Sequence, residues 1–590
     1  QVGIPDSEKT IYVWAAGNAG GYADQGVDYS SPELLPGMAH YIPEIQGHSI
    51  AVASVDENGQ ISDFSSRCGV AQDYCISAPG GRVTAAYPTS TSDTGIYIGN
   101  TNDDNYNNCI TDNSCYAVTS GTSFAAPFVS GGLAVIADHF EGQLGSQEIV
   151  SRLFATANKN GVYADKAIYG QGLMDLNAAT EPVGQVSAMM SLNLSGPMAP
   201  AIFSNIQLTS PSFGDAISNG IGNHSVIFFD ELDAPFRRSL GSLASDYRNQ
   251  IINMDGYESM QTPISHMVTT EEAELEIGGL QTHNLSQELV TPYHLLNARA
   301  DKNQFFSYYD YSNDSFLSHG LNGSWALGVF QDSELRSKKS LRSQFSNPWL
   351  NFSASGTTVG SSFKGLQGFD IAFALSSGRN KFKENEIFGE RNSSTVALLE
   401  IQPQSSMPSF QLGMMKENDA SLGLSGSGAF NGSNNQLTSF VGLSNSINLK
   451  GGKFFGSLYW GKSNGISNKL GMIQSLSNLY SSAFGVGFLK SSIFNNLDTF
   501  IVTIDQPIRI ESGSLQLNIP TYRTKEKKVL FHSMNFQLNP SGREVHAKAQ
   551  YFSSYRNIGY GLTLGYKSDP YHIKFMDDYL YMSLGFNIDF

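Results

Sequence analysis

From Leu580 to the final Phe590 every even-numbered residue is apolar (Leu580, Met582, Leu584, Phe586, Ile588, Phe590), while Ser583, Gly585, Asn587 and Asp589 fall between them. A period of two sustained this long requires a β-strand with one apolar face, because successive strand side chains point to opposite sides. The pattern recurs at Ile558, Tyr560, Leu562, Leu564 and Tyr566 opposite Gly559, Gly561, Thr563 and Gly565, and at Val545, Ala547, Ala549 and Tyr551 opposite His546, Lys548 and Gln550. Further candidate strands are 369–375, 394–401, 410–415, 454–460 and 530–538, with Phe484, Val486 and Phe488 alternating with glycines. Long strands with one apolar face, one small or polar face and aromatics near their ends match a transmembrane β-barrel. A soluble, glycine-rich sandwich or solenoid alternates in the same way. We take the barrel for residues 300–590, with twelve strands as the even number that fits this length.

The N-terminal part has another texture. Gly121-Thr122-Ser123-Phe124-Ala125-Ala126-Pro127 leads into a helical stretch, 124–140, whose Ala125, Ala126, Val129, Leu133, Ala134 and Ile136 make it apolar almost all round, as in a buried helix. Gly121 permits close backbone approach, and the helix would bring its positive end beside Ser123. Ile11-Tyr12-Val13-Trp14-Ala15-Ala16-Gly17-Asn18 reads as a short buried strand. Taken singly, a helix cap at Ser123 and a turn asparagine ahead of Gly20-Gly21 would explain both segments.

Together with Ile50 to Asp56, the Phe64-Ser65 and Ala78-Pro79-Gly80 turns, 153–157 and 169–175, these segments stand in an order that resembles the subtilisin-like serine proteases over roughly residues 10–180. The resemblance implies an α/β domain over 1–180 that acts on polypeptide substrates with neither cofactor nor metal. Ser123 would be its nucleophile, Asn18 its oxyanion-hole amide, and Ala15, Ala16 and Gly17 one wall of the primary specificity pocket. Phe128 departs from the histidine that many members carry there, and is expected to pack rather than react. The family orders its triad Asp, His, Ser, with Asp and His ahead of the Asn18 strand. The chain is therefore expected to be the C-terminal half of that domain, cut from a longer polypeptide and inactive by itself. His40 and His48 follow Asn18, outside the family's histidine helix, and are not expected to act as bases.

A subtilase followed by strands ending on Phe590 is similar to the autotransporters of Gram-negative bacteria. That resemblance implies an exported serine endopeptidase at the cell surface or secreted, whose barrel engages the outer membrane and its barrel-insertion machinery. The rival is a non-catalytic surface or adhesion protein on a subtilase scaffold.

With 590 residues the chain exceeds one core, and its net charge of -17 argues against nucleic acid as a partner. No apolar run reaches the length of a transmembrane helix. All four cysteines lie between Cys68 and Cys115; their spacing suggests Cys68 with Cys75 and Cys109 with Cys115, although three pairings are open. Zinc is the alternative, but neither pair has the Cys-x-x-Cys form. Residues 181–299 read as a Ser/Gly-rich junction and partly helical connector, with Glu271, Glu272, Glu274 and Glu276 on a solvated face. Within it, the acidic run from Asp230 to Asp233 fits a turn before Pro235 better than a calcium site.

Overall fold

The structure is a computed structural model that describes residues 10–87, 106–189, 198–245, 262–310, 327–379 and 393–588, apart from short breaks within these ranges. Its first unit is a parallel sheet of β1 (Tyr12–Ala15), β2 (Ser49–Val55) and β3 (Cys75–Pro79) in that order. Every residue of β2 is buried, as a central parallel strand covered on both faces requires. Helix α1 (Met38–Tyr41) lies between β1 and β2. The long helix α2 (Thr122–His139) lays Ala125, Val129, Leu133 and Ile136 against Ile50, Val52, Ile76 and Ala78, and α3 (Ser146–Thr156) adds Ile149, Val150 and Leu153 to the same core. The closing turn 169–175 packs on α2 so tightly that a Cβ at Gly132 would lie 2.8 Å from Met174 Sδ.

Two sequence expectations need correcting here. Helix α2 is buried along one face only: Phe128 is 44% and Val135 48% exposed, so Phe128 does not pack. The apolar composition of α2 concealed this, since composition does not say which faces have neighbours. Of the cysteines, Cys68 and Cys75 form a buried disulfide. Three further strands, β4 (Val83–Tyr87), β5 (Tyr106–Thr111) and β6 (Ser114–Thr119), form an antiparallel sheet in which β6 is central. Cys109 and Cys115 lie on β5 and β6, with side chains outside the described residues.

The C-terminal part is one antiparallel meander, a 16-stranded sheet that runs from Thr262–Thr269 to Tyr579–Ile588. It has more strands than the expected twelve because it starts earlier. Segments Thr262–Thr269, Ala273–Asn284 and Tyr293–Ala300, read as a partly helical connector, are strands. The reason is legible afterwards: Glu274 and Glu276 alternate with Leu275 and Ile277, a period of two rather than a helical face. Among the described residues the first and last strands of this sheet have no pairing with each other.

The sheet is inside out. On strand Phe369–Arg379, Phe373 (44%) and Leu375 (51%) are exposed while Ala372, Ala374 and Ser376 are buried. Phe373, Leu399, Leu412, Val441 and Trp460 are cross-strand neighbours in five successive strands, and all are exposed. The opposite face is covered by one segment, 327–353, of short helical turns. Trp349 stacks on Phe440 at 4.5 Å and Phe345 lies 4.8 Å from Phe455. Gly328 N–H donates to the buried Glu400 carboxylate at 2.8 Å, Asn347 Nδ2 to Gln411 Oε1 at 2.8 Å, and Lys338 Nζ to Thr499 Oγ1 at 3.0 Å. This segment touches strands from Phe369–Arg379 to Thr499–Ser512 on one face.

Candidate active site

The end of β1 and the start of α2 meet at the top of the parallel sheet. Asn18 lies three residues past the end of β1, and its Oδ1 accepts two hydrogen bonds from Thr122, one from the backbone N–H and one from Oγ1, both at 3.0 Å. Thr122 Oγ1 in turn accepts from Gly17 N–H at 3.3 Å. With Oδ1 held in this way the Asn18 amide nitrogen has to point away from Thr122. Nδ2 and Ser123 N each lie 3.8 Å from where a Cβ at Gly121 would be. The backbone N–H of Asn18 donates to Glu33 Oε1 at 3.3 Å.

Gly121 N–H donates to Gly80 O at 2.9 Å, which joins the loop after β3 to the start of α2. A Cβ at Gly80 would come within 2.8 Å of Gly121 O and 2.6 Å of Ser54 Oγ, so this approach needs glycine. Ser123 is the second residue of α2 and is exposed. Its N–H belongs to the first turn, where no intrahelical acceptor exists, and the helix dipole adds positive potential there. Pro127 removes the donor that Ser123 C=O would otherwise meet one turn later. Near the start of α2 there are thus two donors without an acceptor among the described residues, Ser123 N–H and the Asn18 Nδ2 amide. Two such donors can stabilise a negative charge that develops between them.

Ala15, Ala16 and Gly17 run beside this point, with Ala16 and Gly17 buried. Gly17 has φ +113°, and a Cβ there would meet Glu33 at 2.5 Å, so the Glu33 carboxylate borders the wall these residues form. Sequence reasoning missed Thr122 and Glu33. Thr122 was legible in principle from the Gly-Thr-Ser triplet, whereas Glu33 comes from a loop with no pattern of its own.

No histidine is brought to Ser123 Oγ among the described residues. His48 is buried and held by Thr10 O at 3.2 Å on Nδ1 and by Gln147 Nε2 at 2.8 Å on Nε2. His40 is exposed on α1 and packs edge-on against Tyr41. The acidic run forms a turn: Asp230 accepts from Arg152 at 2.7 Å and from the amides of Val183, Leu232 and Ala234, and Asp233 adopts φ +58°. Among the described residues no group of His, Cys, Asp or Glu is clustered as metal ligands would be.

Residues 3–172 match the Peptidase S8 model, described as the Subtilase family. Over 175 residues the chain is 27% identical to Serotype-specific antigen 1 of Mannheimia haemolytica, an alignment covering 29% of this chain and 16% of that protein. Over 170 residues it is 29% identical to the Extracellular serine protease of Serratia marcescens, covering 29% of this chain and 15% of that protein. Subtilisin DY of Bacillus licheniformis is 28% identical over 172 residues, 29% of this chain and 47% of that protein. The chain thus spans about a sixth of the length of the first two relatives and about half of the third. The match covers both the Asn18 strand and the Ser123 helix, and residues 3–172 form a subtilase-family domain of the peptidase S8 type.

Proposed function

We propose that this chain belongs to an exported serine endopeptidase whose nucleophile is Ser123, whose oxyanion donors are Asn18 Nδ2 and Ser123 N–H, and whose C-terminal sheet closes as an outer-membrane barrel. The observation that carries the catalytic part is the orientation of Asn18. A side-chain amide held by Thr122 through its oxygen alone keeps both of its protons for an incoming charge. In the reaction Ser123 Oγ would attack the peptide carbonyl and lose its proton to a base, and the developing oxyanion would meet these two donors. The likeness to a protein named an extracellular serine protease supports export.

Two observations support the barrel. Exposed apolar side chains that are neighbours across five successive strands form a continuous apolar band, and lipid is the solvent that suits it. The connections are also unequal at the two ends. From Asn303 onward those at one end have two to seven residues, as between Leu449 and Gly452, whereas those at the other have ten or more. Short turns on the periplasmic side and long excursions on the outer side are the rule for outer-membrane barrels. The long excursions share the end of the sheet that carries the subtilase domain, which would place that domain outside the cell.

A non-catalytic scaffold is the second reading, favoured by Ser123 Oγ having no hydrogen-bond partner among the described residues. Labelling of the complete gene product with a fluorophosphonate separates the two. Stoichiometric labelling of Ser123, lost with peptide hydrolysis in Ser123→Ala, is the expected result. An intact, exported protein that neither labels nor cleaves peptides would establish the scaffold instead.

A further inference from the structure

Short segments from 187–245 and three excursions of the large sheet form one body. Strand Ile206–Leu208 pairs antiparallel with Leu424–Gly426, part of the excursion between strands Ser409–Glu417 and Gln436–Leu449. On its other side it pairs with Ala244–Ser245, so one four-stranded sheet is built from both halves of the chain. Phe213, Ile217, Ile221 and Phe228 share an apolar core with Leu515, Leu517, Ile519 and Met534 of the hairpin Ser514–Arg523 and Val529–Gln537. A Cβ at Gly220 would come within 2.2 Å of the Phe536 ring, and Asp215 accepts from Ser541 N–H at 2.9 Å and from its hydroxyl at 2.6 Å.

The tip of the same hairpin reaches the subtilase domain. Arg523 is fully buried; its N–H donates to Gln143 Oε1 at 3.0 Å, and its guanidinium to Gln143 O and to the Glu148 carboxylate. Lys527 joins this pair, 3.3 Å from Glu148 and 3.4 Å from Asp233. Behind it the buried Arg152–Asp230 pair at 2.7 Å fixes α3 to the end of strand Ser225–Phe229. Taking the N-terminal part away would expose this core, open a strand edge in the mixed sheet and strip Arg523 of its acceptors, each unfavourable in water.

We infer that these contacts alone hold the subtilase domain on the end of the large sheet, so that scission of the chain between Ser245 and Thr262 does not release it. The surface it docks on is made by the excursions at Leu424–Gly426 and Ser514–Gln537, and the active protein tolerates a nick there as a two-chain enzyme. The enzymatic part of this statement rests on the function proposed above; the retention does not.

The test uses the complete protein with a recognition sequence for a site-specific protease inserted between Ser245 and Thr262. After cutting, both fragments are expected in one peak on gel filtration in detergent, at physiological and at high salt, with any fluorophosphonate label in that peak. Elution of the N-terminal fragment alone overturns the inference. Leu208→Asp combined with Leu424→Asp and Arg523→Ala is expected to release the cut fragment completely, and retention in that variant also overturns it. Heat-modifiable mobility of the uncut chain reports the barrel separately: its absence alongside co-elution would remove the membrane and leave the docking standing.

Discussion

Replacing Leu399 by arginine asks directly what solvent surrounds the large sheet. Leu399 is 41% exposed, between the exposed Phe373 and Leu412 on the neighbouring strands. Its strand, Ser393–Pro403, has 11 residues. At a rise of about 3.4 Å per residue and a tilt of about 40° such a strand stands about 28 Å tall, close to the apolar band of about 25 Å in outer-membrane barrels. Leu399 is just past its middle, so arginine there should cost about 2 to 4 kcal/mol if the sheet faces lipid. If it faced water, the same change at an exposed position should stay within about 0.5 kcal/mol. Leu497→Arg is the control, since Leu497 is 67% exposed in the short connection between Leu479–Ser491 and Thr499–Ser512, outside the band. Equilibrium unfolding in lipid vesicles, followed by tryptophan fluorescence, measures both variants. A loss below about 0.5 kcal/mol for Leu399→Arg, in a protein that stays monomeric without detergent, would refute the lipid-facing assignment.

Asn18→Ala should lower kcat by about 100- to 1000-fold with little change in KM, a scale set by the equivalent amide in subtilisin rather than by this structure. Thr122→Val, which removes one of the two bonds to Asn18 Oδ1, should fall between that variant and the parent enzyme in steady-state assays. Acid should loosen the docking of the subtilase domain. Burial tends to raise the Glu148 carboxyl, but Arg523, the Gly145 amide and Lys527 together hold it below its ordinary 4.5. Because the folded value is the depressed one, the stabilisation is complete above pH 4.5 and is lost as pH falls further; melting curves of Glu148→Gln should be flatter than the parent's in that range. His572, in the turn after Asp569, is pushed by burial down to about 3, and stays neutral while it accepts from Glu544 N–H on Nδ1 and faces Ile508 O with Nε2. Its folded value also lies below the ordinary 6.5, so stability contributed by neutral His572 is present above pH 6.5 and declines from there toward pH 3; His572→Gln should remove the part of the decline between pH 6.5 and 4.5. Mass spectrometry of non-reduced protein should find Cys68 joined to Cys75, and Cys68→Ser with Cys75→Ser should cost about 2 to 3 kcal/mol, as closing so short a loop implies.

Much of this was legible in residue order because it depends on local periodicity or on segments that act as units. The alternation around Leu562 and Leu584 marks strands wherever they fold, and those residues do pair in register. The Gly121 to Pro127 motif likewise carries its own turn and helix start. What the sequence left open were matters of neighbours. A strand alternates alike in a sandwich and in a barrel, and only the tertiary structure placed Phe373 and Leu399 outward with Ala374 and Glu400 inward. Glu274 and Glu276 suit a solvated helix until their strand partners are known. Ile206 to Leu208 looked like part of a connector because this short apolar run finds a partner more than 200 residues away, at Leu424 to Gly426. The same holds at the candidate site: Asn18 and Ser123 could be picked out from the order of several segments taken together, but the Thr122 bonds to Asn18 Oδ1 cross 104 residues, and no local pattern reports a contact made only when two distant segments meet.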